Sequence, residues 1–363
     1  MGGNTNNITQ TRSRSPMLSY LVINLLDESG FLDYTDVCRL RLVSTTLYQQ
    51  LRTFRLDMRN EDFTIETIIK RLTYENFTNV RIIDDGQFLT TNVLCDRSIH
   101  KLALSTESKM IQSWKWCDIN SVNNLTLDAC RLLEVVPFEI EAKYLTHLNM
   151  TQCDELIQLN GVDRFAPILE HIVLCSCPRL TDITDLQSLP MLCRLDVERC
   201  DGMQDIDLSN FNHLKSLSLI HCEHVEHVYG SSTIQEIRLV GSSRPFDFKT
   251  YQSLRTLIIS DCDYVRFITQ DMFHPSLINL DISYCSMLEH AYMPYSLESI
   301  ILIHCHQLLG CNLEKCKRLK SITIEHCTQL EQIPGVWNCP HVEKFTLSFC
   351  PMIGKLVTQH AFH

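Results

Sequence analysis

A single spacing of apolar residues recurs along most of the chain after about residue 76. Its clearest copy reads LRTLIISDCDYV, from Leu254 to Val265. Within a copy, apolar residues fall at positions 1, 4, 6 and 12, and a cysteine falls at position 9. Thirteen copies start between Phe77 and Val342, at intervals of 20 to 24 residues. Ten of them have the cysteine, at Cys130, Cys153, Cys177, Cys200, Cys222, Cys262, Cys285, Cys305, Cys327 and Cys350.

The alternation around positions 4 to 6 predicts a short strand, because successive strand side chains point to opposite faces. One such unit cannot bury its own apolar side, whereas a stack of units can. The fixed period therefore predicts a solenoid in which each turn adds one strand to a parallel sheet. The other side of a turn has room for an extended segment or one helical turn. The cysteine follows the strand, where a small thiol can be buried and still donate to a carbonyl.

This skeleton resembles the leucine-rich repeat, and the resemblance covers about three quarters of the chain. It implies an α/β solenoid with parallel strands on its concave face, spanning residues 77–363 with about 13 repeats. The copy that starts at Ile234 has Ser242 at the cysteine position and is followed by Phe246 and Phe248. The two phenylalanines either pack as core substitutes or form a protruding binding loop.

The segment before the repeats has a different character. Residues 1–15 are polar and are predicted to be disordered. Residues 16–52 have apolar residues at steps of three and four, which predicts short helices with one apolar face. A segment of this length is too short to bury a core alone, so the helices need the solenoid or a partner to cover them.

Within this segment, the sequence LDYTDVCRL from Leu32 to Leu40 resembles the second half of an F-box. The resemblance implies that residues 16–52 form an F-box-like helical domain that binds a Skp-type adaptor and, through it, a cullin. The residues that it assigns to the adaptor contact are Leu18, Val22, Leu26, Leu32, Asp36, Val37, Leu40, Val43 and Leu47. The alternative is a helical cap that only shields the first turn of the solenoid.

The link between this segment and the repeats, residues 53–76, is predicted to be a helical bridge that caps the solenoid. The sequence EDFTIETIIKRL in this link has helical spacing. Leu51, Phe54 and Leu56 are either a further, degenerate strand or the end of the last box helix.

Charge is distributed unevenly along the chain. The net charge is −11, and the first 76 residues are neutral, with nine basic and nine acidic residues. The repeats therefore carry the negative charge, which disfavours binding to nucleic acid phosphates. No apolar run approaches transmembrane length, so no membrane partner is expected.

Eighteen cysteines would suggest disulfides in a secreted protein. Ten of them occupy the repeat position instead, and the first fifteen residues are polar rather than signal-like. We therefore expect free thiols and an intracellular location, in the cytoplasm, the nucleus or both.

Candidate chemistry is sparse. Two groups resemble zinc ligands: His221, Cys222, His224 and His227, and His304, Cys305 and His306. Each cysteine is the repeat cysteine, which should point inward, so the ligands should not converge on one metal ion. Other candidate reactive thiols are Cys175, Cys311, Cys316 and Cys339, which have no marked activating base or cation. No catalytic set can be assembled, so we expect a non-enzymatic protein without cofactor or metal.

Apolar residues at outward-facing positions of the later repeats predict a patch that binds a target protein. They are Ile220, Val240, Ile258, Tyr284, Ile301, Ile303 and Phe349. The alternative is that the C-terminal tail or a loop covers them. His221, His304 and His326 each precede the repeat cysteine, so they should line up along one edge.

The F-box resemblance and the apolar patch together imply the target-recognition subunit of an SCF-type ubiquitin ligase, which would itself catalyse nothing. The alternative is a leucine-rich-repeat scaffold or inhibitor with no role in ubiquitin transfer.

Overall fold

The computed structural model describes the strands Thr53–Asp57 and Asn79–Asp84 and residues 99–106, 119–136, 142–230, 232–243 and 247–353. Within these residues, fourteen strands form one parallel sheet whose order follows the order of the chain. They are β1 Thr53–Asp57, β2 Asn79–Asp84, β3 Lys101–Thr106, β4 Asn124–Asp128, β5 His147–Thr151, β6 His171–Cys175, β7 Arg194–Glu198, β9 Ser216–Ile220, β11 Glu236–Val240, β12 Thr256–Ser260, β14 Asn279–Ser283, β16 Ser299–Ile303, β18 Ser321–Glu325 and β19 Lys344–Ser348. This architecture confirms the predicted leucine-rich-repeat solenoid.

The other side of the described solenoid has only short elements. Five strands there form two small parallel sheets: β8 Asp205–Asp207 with β10 His227–Tyr229, and β13 Phe267–Ile268 with β15 His290–Tyr292 and β17 Gly310–Asn312. The helical elements are α1 Val162–Phe165 and the 3₁₀ turns Thr184–Ser188, Gln270–Met272 and Val336–Asn338. Each is one turn or little more, as the length of the repeat predicted.

The core lies between these two sides and is built from positions 4 and 6 of each turn. In β5, Leu148 and Met150 are buried, whereas the residues between and beside them reach solvent. Burying one such side chain stabilises the fold by about 1.5–3 kcal/mol relative to leaving it exposed. The buried residues form one cluster that continues from turn to turn. In β19, Phe345 at position 4 is 45% exposed, since no later turn in the described part covers it.

The repeat cysteines form a column of buried thiols beside this core. Nine of the ten are buried, and Cys350 in the last described turn is half-buried. All are free of disulfides. The Cys153 thiol lies 3.7 Å from the Thr151 carbonyl and 3.8 Å from the Leu127 carbonyl of the preceding turn. The expected role of the cysteine, a small buried donor to a carbonyl, is confirmed.

The sheet begins earlier than the repeat pattern indicated. Residues Thr53–Asp57 form β1, which pairs with β2 in parallel register. The strand alternative for Phe54 and Leu56 is therefore confirmed, and the prediction of a helical bridge is wrong for these five residues. The physical reason is their period of two, with Phe54 and Leu56 between polar neighbours. The box-like segment 16–52, its nine assigned adaptor residues and most of the predicted bridge lie outside the described residues.

The irregular copy that starts at Ile234 keeps the fold because other residues are buried in place of the missing cysteine. Ser242 is 7% exposed at the cysteine position. Phe248 is buried and stacks on Phe273, with ring centroids 6.0 Å apart. Phe248 therefore packs as a core substitute, and Phe246 lies outside the described residues.

Candidate functional site

One backbone bend is repeated in every full turn, at position 8, directly before the cysteine. Ten non-glycine residues there have φ between 48° and 58°, in the left-handed region. They are Ala129, Gln152, Ser176, Arg199, His221, Asp261, Tyr284, His304, His326 and Phe349. Such a conformation costs about 1–2 kcal/mol per residue. A hydrogen bond to the next turn offsets this cost: the Tyr284 N–H donates to the Ile303 carbonyl at 2.8 Å, and the His326 N–H donates to the Ser348 carbonyl at 3.0 Å.

We define the outer sheet face as the residues at positions 3, 5 and 7 of each repeat copy. The bend places the side chains of position 8 in a column at the edge of this face. Neighbouring strands of a sheet lie about 4.8 Å apart. Planar rings at position 8 of consecutive turns are therefore held at stacking distance.

Four consecutive turns use this spacing to build a ring stack, which consists of Tyr284, His304, His326 and Phe349. The ring centroids are 4.7 Å apart for Tyr284 and His304, 4.4 Å for His304 and His326, and 4.3 Å for His326 and Phe349. The corresponding planes are inclined by 21°, 11° and 6°. The stack is a rigid, preformed feature of the surface because its spacing is set by the sheet.

The two ends of the ring stack are its most accessible parts. Tyr284 is 55% exposed and Phe349 is 69% exposed, whereas the histidines between them are half-buried. Burial lowers the pKa of His304, and the nearby imidazoles of His326 and His306 lower it further. A cavity of about 680 Å³ opens beside the Phe349 end and is also lined by Leu347 and Ile353.

The three histidines at position 8 all adopt the left-handed bend, in agreement with the predicted alignment along one edge, but only two of them lie in adjacent turns. His304 and His326 stack directly, but His221 is separated from them by three turns. Its ring occupies the space beside Gly241, where a Cβ atom would lie 2.2 Å from the His221 Nδ1 atom. Gly241 therefore leaves room for that ring and also has a positive φ of 64°.

The predicted target-binding residues do not form one continuous patch. Ile220 and Val240 are register partners on β9 and β11. Ile258 and Ile301 lie in one row across the sheet but are separated by Asp281, and Ile303 lies on the same strand as Ile301. Tyr284 and Phe349 belong to the ring stack. The structure thus divides the seven residues among three neighbouring features, and binding to a target stays a prediction.

Sequence reasoning missed Asp281, which lies in the middle of the isoleucine row. Its Oδ1 atom accepts a hydrogen bond from the Ser283 hydroxyl at 2.6 Å. Burial raises the pKa of this carboxyl, and the Ser283 hydrogen bond and the charge of Arg238 oppose that rise. Apolar patterning could not mark this residue, since it interrupts the pattern.

The middle turns of the outer sheet face are occupied by internal ion pairs. The Asp196 carboxylate lies 2.8 Å from His171 Nε2 and 3.0 Å from Arg194 Nε. Burial raises the pKa of Asp196, but the hydrogen bonds from His171 and Arg194 outweigh it and hold the pKa below its ordinary value. Glu198 pairs with Arg199 in the same turn.

The candidate thiols and zinc sets lie in surroundings that do not activate them. Burial raises the pKa of Cys311, Cys316, Cys339 and Cys175, the direction opposite to that of a reactive thiol. The Cys222 and Cys305 thiols point inward, to the carbonyls of Val197 and Ile282 at 3.5 Å. Among the described residues, no group of three or more His, Cys, Asp or Glu side chains is placed to hold a metal ion.

In the same part of the chain, no helix has the length and apolar character needed to cross a membrane.

The repeat, the parallel sheet and the thiol column define the class of protein, a leucine-rich-repeat solenoid with an extended outer surface. No protein-family profile matches the chain, and no curated protein matches its sequence. Among solved structures, it is similar to the leucine-rich repeat domain of the type III effector XopL. The identity is 18%, the match covers 62% of this chain and 76% of that chain, and the TM-score is 0.41.

Two further solved structures are similar over longer stretches. TLR13 in complex with ssRNA13 is 14% identical, covers 76% of this chain and 58% of that chain, and gives a TM-score of 0.33. The plant peptide hormone receptor RGFR1 in complex with RGF2 is 12% identical, covers 82% of this chain and 61% of that chain, and gives a TM-score of 0.28. Similarity at this level carries no argument about function.

Proposed function

We propose that this protein recognises a target protein for a cullin-type ubiquitin ligase. Residues 16–52 hold a Skp-type adaptor, and the outer sheet face holds the target. The mechanism is proximity, which raises the effective concentration of target lysines near a ubiquitin-charged enzyme. The protein supplies binding surfaces and no catalytic residue of its own.

The observation that carries the proposal is the junction at Thr53. The segment that the resemblance assigns to the F-box-like domain extends to residue 52, and the first strand of the sheet begins at Thr53. No spacer lies between them in the sequence. An adaptor bound to the first segment and a target bound to the sheet are therefore joined through a short stretch of chain, which favours a high effective concentration.

The apolar content of residues 16–52 supports a partner there. The helices predicted there from the sequence, with Leu18, Val22, Leu26, Val37 and Leu40 on their apolar faces, would carry more apolar surface than they could bury among themselves. Burial of such surface is worth about 25 cal/mol per Å² only if something covers it. A Skp-type adaptor is the cover that the F-box resemblance implies.

The test is retention of a purified Skp-type adaptor and cullin by the full-length protein. Wild type should retain both, and Val37→Glu combined with Leu40→Glu should lose both, because a charge forced into a dry interface costs several kcal/mol. Asn4→Glu combined with Asn7→Glu is the matched control, since it adds the same charge in the polar tail and should leave retention unchanged. Equal melting temperatures of all three proteins show that the solenoid is intact. If wild type retains no adaptor, the ubiquitin-ligase proposal fails and the scaffold or inhibitor alternative replaces it.

A further inference from the structure

The carboxylates of the outer sheet face fall into two groups that differ in their partners. In the middle turns, Asp196 and Glu198 are matched by His171, Arg194 and Arg199. Toward the C-terminal end, no cation among the described residues lies within ion-pair distance of Asp261, Asp281 or Glu325. The first group is paired internally, whereas in the second group Arg238 of β11 acts on Asp281 only from beyond ion-pair distance, two strands away in the same row.

The surface around the second group is shallow. Strands β12, β14, β16, β18 and β19 present fifteen outward residues at positions 3, 5 and 7, and eight of them are serine or threonine. Asp281 and Glu325 are the acidic residues among them, and Lys344 on the last strand is the single cation. Small side chains let the backbone of a partner approach closely, and the charge favours a basic one.

Tyr284 is the first ring of the stack and is 55% exposed. His304 covers one face of Tyr284, at a centroid distance of 4.7 Å. The opposite face is directed toward the preceding turn, where position 8 is occupied by Asp261. Asp261 brings a carboxylate rather than a ring, so the stack stops at Tyr284.

A guanidinium group has the chemistry to continue the stack at this point. It is planar, stacks on the face of a tyrosine ring, and pairs with a carboxylate through two parallel N–H donors. A lysine ammonium is a compact point charge that gains the ion pair without planar stacking. The site therefore distinguishes two side chains of equal charge.

We propose that the target protein presents a basic, arginine-containing segment to the outer sheet face, with one guanidinium stacked on the open face of Tyr284 and paired with Asp261, the position-8 residue of the preceding turn. This inference rests on the proposed function only in that the outer sheet face binds a protein. The rest of the segment lies along β12 to β16, where Ile258 and Ile301 flank Asp281 and contact the apolar stems of its side chains.

The experiment compares two peptides of equal charge on the full-length protein. The probes are fluorescently labelled twelve-residue peptides, one of four Gly-Ser-Arg repeats and one of four Gly-Ser-Lys repeats, and the readout is anisotropy at low and at physiological salt. Wild type should bind the arginine peptide about fivefold more tightly than the lysine peptide, because both cations are attracted to the ring and only the guanidinium adds planar stacking. Tyr284→Leu should abolish that difference while retaining weak binding of both peptides.

Charge variants distinguish binding at this surface from non-specific attraction of basic peptides to the negatively charged protein. Asp261→Asn combined with Asp281→Asn should weaken both peptides at least tenfold at low salt. Glu314→Gln combined with Glu331→Gln removes the same charge from exposed residues outside the main sheet and should change binding little. Equal affinity of wild type for the two peptides, no binding of either, or equal loss in the two charge variants overturns the inference. Retention of the Skp-type adaptor, measured on the same variants, should be unchanged, so failure of this inference is distinguishable from failure of the proposed function.

Discussion

His326 stacks on Phe349 with their ring centroids 4.3 Å apart and their planes inclined by only 6°. The two residues follow strands β18 and β19, which pair in parallel register from Ser321 with Lys344 to Glu325 with Ser348. The same register that pairs the strands therefore aligns the rings. Because the strand register and not the rings holds this arrangement, substitution of one ring should change the stack without changing the fold.

The first prediction concerns the pH dependence of the ring stack. Burial and the nearby His326 and His306 lower the pKa of His304 in the folded protein below that of an unfolded histidine. As pH falls, the unfolded state therefore binds the proton first, and stability decreases from about pH 7 downward, through the unfolded value of about 6.5, until the folded pKa is passed.

Melting temperatures measured across this range check the prediction. His304→Phe keeps a ring in the stack and removes the titrating group, so it should reduce the loss of melting temperature between pH 7 and pH 5. His213→Phe, at an exposed histidine outside the stack, is the control and should keep the wild-type profile. A profile of His304→Phe that matches wild type would show that burial and the neighbouring imidazoles do not disfavour the protonated form of His304.

The second prediction concerns Gly241. An added Cβ would lie 2.2 Å from His221 Nδ1, and the backbone φ of 64° costs a residue with a Cβ about 1–2 kcal/mol. Gly241→Ala should therefore lower the free energy of unfolding by about 1–3 kcal/mol, measured by urea denaturation. The double variant His221→Ala with Gly241→Ala should recover the steric part of that loss.

Gly310→Ala is the control for Gly241, because its added Cβ would meet no atom closer than 3.6 Å. It should change the free energy of unfolding by less than about 1 kcal/mol. Equal effects at the two glycines would mean that the His221 ring moves aside at little cost.

The third prediction concerns the thiol column. Cys153→Ser should destabilise the protein by about 1–3 kcal/mol, since it places a more polar group in the turn interior. Cys350→Ser should cost less, because Cys350 is half-buried. In the native protein, an alkylating reagent should modify Cys350 faster than Cys153, as read by peptide mass spectrometry. Fast labelling of Cys153 would show that the register of the turns is wrong.

The fourth prediction concerns the electrostatics of Asp281. Ile301 is its register partner on β16, and Thr323 lies one strand further away. An ammonium group at either position favours the charged form of the carboxyl, and the effect falls with distance. Ile301→Lys should therefore lower the raised pKa of Asp281 more than Thr323→Lys does, as measured by NMR titration of the carboxyl carbon. The reverse order would show that Ile301 and Asp281 do not share one surface.

The repeat made much of the fold predictable from the sequence. Its spacing located the strands of the main sheet from β2 onward, the buried thiols and the absence of room for long helices, because each follows from one period. Phe248 could be recognised as a core substitute, but only as one of two alternatives. Strand β1 was the hardest part, since it lacks the cysteine and the last apolar residue of the repeat and lies next to a helical pattern.

The candidate site was predictable only in pieces. Tyr284 and Phe349 were chosen as exposed apolar residues, and His304 and His326 as aligned histidines, but their union in one stack was not foreseen. What was missing is the left-handed bend, which brings position 8 of each turn from Ala129 to Phe349 into one column. The signal was present, since all four residues occupy the same position of the repeat. Asp281 had no comparable signal in the sequence, because its place in the candidate site depends on the isoleucines that neighbour it on the adjacent strands.

The left-handed bend has a consequence for how such a surface can change. The fold needs the backbone of position 8, with its hydrogen bond to the next turn, and makes little demand on the side chain. Alanine, glutamine, serine, arginine, aspartate, tyrosine and phenylalanine all occupy it within this one chain. A substitution at position 8 can therefore change what the surface binds in one turn and leave the neighbouring turns as they are. The residues that determine the fold, the buried apolar side chains and the cysteine, lie on either side of this position.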